Sequence, residues 1–465
     1  MRVLLALALV APALAGCLGQ GDTVLAAEFD PSAPHCVGAC PRIVDDSPVR
    51  AWEPFLAVDP KDPDHLVIAH SEMTDDFLNA SYTLGKTRVS VTEDGGATWE
   101  TRVVPGGVEA GPTHPLAGYA SVGYDPVLVF LPDGTLVMSA LASNTVDVPG
   151  VPVHVWPGLT VYTSRSTDGG RTWRDVRIVD QGAGVVAFDT IVGAAAGAMW
   201  KNNDKEWLAL GPDGTLLLVW TQFTYMHPDD DINPLEAGGR LVFSSSEDGG
   251  LSWSPVRIVD GEGRGHGASP VIGRDGVWRV AYVDHASALL RFAESHDHGQ
   301  TWEARTIGAT SWIPVMRAQA LASGVERLLL TYTTGGDERR GEHQIEFTWS
   351  DDGGATWAPA LVVDTPQGEG APMPDVVGAA DDGAWMTYFD LEGPYAKQRS
   401  RYLAVKVAGG VAGEPLVLDD MEVAAANLGH YMGLAAAPDG DALAAWVTYD
   451  DTLDVVWARI SAGSR

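Results

Sequence analysis

The sequence is poor in cysteine, with three residues in 465. Two of them, Cys36 and Cys40, are neighbours in HCVGAC, and no second Cys/His pair completes a metal-ligand set beside His35. Outside the cytoplasm such a close pair reads most simply as a disulfide closing a small loop. Positive charge is scarce as well. Lysine and arginine total 30 against 62 aspartates and glutamates, a formal net charge of −32. That surface repels phosphate backbones and excludes nucleic acid as a partner, and a carboxylated ligand would need a local basic pocket against the field. Past the N-terminus no apolar run is long enough to cross a bilayer. Catalytic signatures are missing too. There is no Gly-x-Ser-x-Gly elbow, and GEGRGHG at 261–267 lacks the strand-to-helix setting of a phosphate loop. Asp229-x-Asp231-x-Asn233 opens like a calcium loop, but Pro234 replaces the required glycine and Arg240 the bidentate glutamate. No cofactor is expected, with irregular calcium binding the one alternative left open. His296-x-His298 reads as part of a surface turn.

The third cysteine lies at the N-terminus. Met1-Arg2 is a short basic start, Val3 to Ala13 an apolar run, and Leu14-Ala15-Gly16-Cys17 follows. The run is too short for a mature membrane span and reads as a signal peptide. Its LAGC ending resembles a prokaryotic lipobox, which implies a removed leader at 1–16 and lipidation of Cys17. Residues 17–40 are then the lipidated cysteine and a tether. The chain is expected outside the cytoplasm, anchored to the membrane of a prokaryotic cell only through the lipid on Cys17.

Glycine, at 53 residues, and tryptophan, at 16, are abundant, a mix that suits short strands joined by tight turns. One pattern, S/T-x-D-x-G-x-T/S-W, occurs five times, at 92–99, 166–173, 246–253, 295–302 and 350–357. Its acids are Asp94, Asp168, Asp248, Asp297 and Asp352. Each copy follows an alternating run such as RLVFSSS and precedes a short segment such as DVRIVD, so it sits in a hairpin turn. The carboxylate can fix the turn by accepting backbone N–H groups, glycine supplies positive φ, and the tryptophan anchors the next strand. A second recurrence is an inner strand, a Pro-Asp-Gly-like turn and an apolar strand, as in DPVLVFLPDGTLVMSAL and EWLALGPDGTLLLVW. It gives seven units, the last one strand short. Pro41-Arg42-Ile43-Val44-Asp45 copies the outer-strand pattern and is expected to complete that last unit.

The repeated turn is similar to the Asp box of sialidases and related repeat proteins. That resemblance implies a β-propeller in which the box joins the third and fourth strands of a blade, on the face away from any active site. The expected fold is therefore all-β, a single propeller of four-stranded antiparallel blades over 41–465. Seven blades follow from the unit count, with six, the number in sialidase catalytic domains, as the alternative. Gln181 to Asn203 reads as an insert holding a short helix or an inter-blade loop.

Function then belongs on the opposite face, at the starts of the inner strands. Aligned on their turns, Glu53, Asp125, Lys205 and Tyr431 share one position, and Glu206, Arg317 and Asp375 lie one residue on. Tyr225, Asp229–Asp231, Asp390, Glu392, Arg399 and Arg401 are expected on longer loops nearby. The sialidase resemblance implies Tyr431 as nucleophile, Glu53 as its base, Asp125 as acid, Arg317 as a carboxylate clamp, and Glu206 and Asp375 as further substrate contacts. The chain departs from that family where an Arg-Ile-Pro element belongs: it has Trp52-Glu53-Pro54, and three arginines are not found at matching strand entries. Two functions follow, a surface propeller that binds glycans or proteins and a glycoside hydrolase, in either case expected to be monomeric.

Overall fold

The computed structural model describes residues 42–45, 50–73, 85–106, 113–117, 119, 121–143, 154–182, 185–188, 200–225, 239–260, 264–336, 341–395, 397–423, 428–450 and 452–461. Cys17, Cys36, Cys40, Asp229–Asp231 and the side chain of Tyr225 lie outside the described residues. The described residues contain strands and turns but no helix, and the strands form seven antiparallel blades.

Blade one is Arg50–Asp59, Asp62–Met73, Lys86–Thr92 and Glu100–Val103. Blade two is Ser121–Phe130, Leu136–Ser143, Thr160–Ser166 and Arg174–Asp180. Blade three is Trp200–Leu210, Leu216–Tyr225, Arg240–Ser246 and Arg257–Ile258. Blade four is Gly265–Ile272, Trp278–Asp284, Leu289–Ser295 and Glu303–Ala309. Blade five is Val315–Ala320, Glu326–Gly335, His343–Ser350 and Leu361–Asp364. Blade six is Asp375–Gly378, Ala384–Glu392 and Gln398–Ala408, with an outer edge shared by Val411–Ala412 and Leu416–Val423. Blade seven takes Gly433–Ala436, Ala442–Asp450 and Thr452–Ile460 from one end of the chain and Arg42–Asp45 from the other. Arg42 pairs with Trp457 and Ile43 with Val456, so the N-terminal strand closes the ring as its sequence pattern suggested.

Local chemistry sets these elements. At 131–135 the Asp133 carboxylate accepts the Thr135 N–H at 2.8 Å, and Gly134 takes a φ of 95° that a side chain would oppose. In the box at 166–173, the Ser166 hydroxyl donates to Asp168 Oδ1 at 2.8 Å and accepts the Gly170 N–H at 2.9 Å. Thr172 donates its N–H to Asp168 Oδ1 at 2.8 Å and its hydroxyl to Oδ2 at 2.5 Å. The other four boxes repeat this pattern. The hydroxyls of Thr92 and Thr98 hold the Asp94 carboxyl down at about 2, and those of Thr301 and Thr356 do the same for Asp297 and Asp352.

The boxes also join blades. A Cβ placed on Gly96 would lie 1.8 Å from the Trp457 ring of blade seven, and one on Gly354 would lie 2.5 Å from Phe292 of blade four. These two turns thus lie flat against a large side chain of the preceding blade, whereas Gly170 and Gly250 lie against the valines Val91 and Val137. Trp253 adds a hydrogen bond from Nε1 to Thr163 Oγ1 of blade two at 3.0 Å. The core lies between blades. Val127, Leu141 and Val161 of blade two meet Trp207, Leu216 and Trp220 of blade three. Phe389 and Tyr402 of blade six meet Trp446 and Val456 of blade seven. Full burial of each such side chain contributes about 1.5–3 kcal/mol.

The helix or inter-blade loop expected in the 181–203 insert falls largely on 183–184 and 189–199, outside the described residues; Val185–Phe188 pairs with His154–Pro157 in a separate small sheet, and 200–203 begin the inner strand of blade three. One sequence expectation is corrected. Asp390, Glu392, Arg399 and Arg401 are not loop residues. They pair across two strands of blade six, where Asp390 binds Arg401 and Arg399 binds Asp420.

Candidate functional site at the channel mouth

The inner strands begin on the face opposite the boxes. Leu66 pairs with Thr92, and the Gly95 N–H bonds the Asp64 carbonyl, so the box of blade one shares an end with the turn that finishes its inner strand. At the other end the inner strands of blades one to four start with a bulge. The ladder register breaks between Trp52 and Phe55, Tyr124 and Val127, Asp204 and Trp207, and His266 and Ala268. Within these breaks Glu53, Asp125 and Lys205 adopt left-handed φ values of 52°, 54° and 54°. Blade four has Gly267 at the equivalent place, also at 52°. A left-handed side-chain-bearing residue costs about 1–2 kcal/mol, so three in register mark a conformation that the surrounding structure enforces.

The bulges bring the three side chains together. Lys205 Nζ lies 2.6 Å from Asp125 Oδ2, 3.5 Å from Glu53 Oε1 and 3.7 Å from Asp204 Oδ1. His430 of the loop into blade seven places Nδ1 2.9 Å from Glu53 Oε1. The Asp125 N–H donates to Ser71 Oγ at 3.2 Å. Asp125 is buried beside Glu53, and burial, then the Glu53 charge, push its carboxyl up to about 7 despite Lys205.

Tyr431 belongs to the same group. Its ring packs edge-on to Trp207, which packs edge-on to Phe55. The hydroxyl has no hydrogen-bond partner among the described residues. Burial, followed by the charges of Asp125, Glu53, Glu206 and Asp204, holds the phenol well above its usual range. The Tyr431–Glu53 hydrogen bond of a nucleophile and base is therefore not made here, and Glu53 pairs instead with His430 and Lys205. Glu206 is fully buried, both its oxygens have no hydrogen-bond partner among the described residues, and burial drives its carboxyl well above the ordinary range. Arg317 and Asp375 bind one another at 3.1 Å across blades five and six, with the guanidinium 5.0 Å from the Trp207 ring centre. Burial raises Asp375 to about 6 against the opposing pull of Arg317.

Lys205, Glu206, Trp207, Asp375, His430 and Tyr431 line one recess, together with Trp312 and Met373. Its volume of about 20 Å³ is room for a single water-sized group. His430, Asp204, Trp312 and Met373 were not singled out in the sequence. Asp204 and His430 sit directly before Lys205 and Tyr431, a signal that was there to be used, whereas Trp312 and Met373 precede strands whose turns depart from the repeat. Among the described residues no group of three or more histidine, cysteine or carboxylate side chains is placed to hold a metal ion.

A family model described as BNR repeat-like domain matches residues 124–391. Solved structures share the fold over nearly the whole chain at low identity. A protein of unknown function from Dyadobacter fermentans is 16% identical, with 91% of this chain and 98% of that chain covered and a TM-score of 0.52. The NanB sialidase from Streptococcus pneumoniae is 11% identical, with 92% and 94% covered and a TM-score of 0.48. The leech intramolecular trans-sialidase is 12% identical, with 92% and 94% covered and a TM-score of 0.45. None of the curated proteins matches the chain significantly.

Proposed function

This chain belongs to the BNR repeat-like domain family, and we propose that it is a lipid-anchored surface propeller that binds glycans or proteins through the face opposite its Asp boxes. The observation that supports binding over sialic acid cleavage is the state of the cations at the mouth. Lys205 is held by Asp125, Glu53 and Asp204, and Arg317 by Asp375. Recognition of a sugar carboxylate calls for guanidinium forks that are open to the ligand. Neither of these cations is open in that way.

A glycoside hydrolase is the second reading, and one observation favours it. A carboxyl at about 7 keeps a proton to give at neutral pH, which suits Asp125 as a general acid. In that reading Tyr431 attacks and Glu53 takes its proton after releasing His430. Arg317, Glu206 and Asp375 then contact the substrate.

The test applies the full chain, in mild detergent, to a glycan array and to a panel of fluorogenic glycosides that includes a sialoside, with and without calcium. Retention of defined glycans without turnover is the expected result. Turnover that vanishes in Tyr431→Phe and Asp125→Asn would replace the binding reading with the hydrolase. Anchoring is checked separately: Cys17→Ala should move the protein from the membrane fraction to the soluble one.

A further inference from the structure

Three polar groups in the recess are buried with no hydrogen-bond partner among the described residues: the indole N–H of Trp312, which can only donate, and two that can accept, the carboxyl of Glu206, 1% exposed, and the hydroxyl of Tyr431. Leaving such a group unpaired is costly, so a ligand that satisfies the carboxyl and the hydroxyl gains from each. The neighbourhood also carries an excess of acid. Among the described residues, Glu53, Asp125, Asp204, Glu206 and Asp375 stand beside Lys205, Arg317 and His430. Arg317 is committed to Asp375, and Lys205 lies closest to Asp125. Among the described residues no ion pair joins Glu206 to either cation.

Size and walls narrow the ligand. A recess of about 20 Å³ admits one group the size of a water or an ammonium. A bare calcium ion takes six to eight oxygen ligands, whereas these walls are largely Trp207, Trp312, Ile313 and Met373. An ammonium is satisfied by a carboxylate, a phenol oxygen and an aromatic face. We propose that Glu206 and Tyr431 form a socket for the protonated primary amine of a ligand, an amino sugar on the glycan-binding reading, on which this inference rests.

The proton balance is specific. Burial holds the Glu206 carboxyl well above its ordinary range and so favours its protonated form while the socket is empty. An ammonium entering the socket favours the ionised carboxylate, so ligand binding is accompanied by proton release to the buffer. The charged groups around Glu206 are Asp125 of blade two and Lys205 and Asp204 of its own blade. The recess adds Asp375 of blade six and His430 and Tyr431 before blade seven. His266 of blade four is driven well below the usual imidazole range by burial and then His285, so it stays neutral.

The experiment is calorimetric titration of the full chain with D-glucosamine and with D-glucose at pH 6.5, in two buffers of different ionisation enthalpy. Glucosamine should bind at least ten times more tightly than glucose and release protons to the buffer. Glu206→Gln should weaken glucosamine by about 10- to 100-fold and abolish the proton release. Tyr431→Phe, which keeps the ring against Trp207, should weaken it by a smaller factor. Equal binding of the two sugars, or unchanged affinity and proton release in Glu206→Gln, overturns the socket and leaves the glycan reading standing. Calcium binding that is lost in Glu206→Gln overturns it in favour of a metal. A glycan array on which nothing is retained overturns both.

Discussion

Replacing Lys205 with methionine removes the one ammonium among the three left-handed positions, and the cost follows from its surroundings. Nζ stands 2.6 Å from Asp125, 3.5 Å from Glu53 and 3.7 Å from Asp204, and the side chain is 9% exposed. Methionine keeps most of the apolar stem, so the loss is chiefly electrostatic. Removing one partner of a buried pair costs about 3–5 kcal/mol because the remaining charge is left uncompensated. Protonation provides the way out. Asp125 already sits at about 7, and Lys205 is among the groups that lower it. Without the ammonium it moves further up. The folded variant then keeps protons that an unfolded chain, with aspartate near ~3.9, has released. A group raised in the folded state loses stability as pH climbs from the unfolded value through the folded one.

The penalty of Lys205→Met should therefore be about 1 kcal/mol at pH 5, where Asp125 is protonated, and about 3–5 kcal/mol at pH 8, where holding it ionised or protonated is costly either way. Urea denaturation followed by tryptophan fluorescence reads this as a shift in midpoint at constant slope. The informative quantity is the difference between variant and parent at the two pH values. An equal loss at pH 5 and pH 8 would mean that Lys205 acts through packing alone. No loss at either would mean that the carboxylates do not depend on it, and the account of the site would fail.

Three further outcomes test the scaffold. Gly96→Ala should destabilise by about 3 kcal/mol or more, since its Cβ would overlap the Trp457 ring at 1.8 Å and the backbone holds a φ of 83°; a midpoint within error of the parent would refute the blade-to-blade contact. Asp168→Ala removes the acceptor of two Thr172 hydrogen bonds and one from Ser166, and should cost about 1–3 kcal/mol in the same assay, with four boxes left intact. With a formal net charge of −32, the thermal midpoint should rise steadily between low salt and about 1 M NaCl as self-repulsion is screened; a flat or falling midpoint would show that the acidic surface is already compensated.

The fold was legible because its signals are local and repeated. Each Asp box carries its own hydrogen bonds within eight residues, and the Pro-Asp-Gly turns fix how far back an inner strand begins. That spacing alone placed Glu53, Asp125, Lys205 and Tyr431 in one register; the first three share a left-handed backbone within two degrees, and Tyr431 does not. It failed where the landmarks thin out. Blade six has no box, so Asp390 and Arg401 read as loop residues although they face one another across two strands. Trp312 and Met373 enter the recess from segments ahead of blades five and six, whose turns LASGV and ADDGA break the repeat.

Pairing was the part that register could not convey. Glu53 meets His430 across 377 residues, and Lys205 chooses Asp125 over Glu53 by about an ångström. Such choices depend on side-chain reach and on which charges burial leaves over, and no spacing encodes them. A strand-entry alignment lists the ring's charges but gives no account of which of them cancel. That account decides function here. If Lys205 and Arg317 were free, the mouth would attract anions. With both held by carboxylates and Glu206 left without a partner among the described residues, the mouth offers no open cation to an anion, and the proposed ligand is one that carries positive charge.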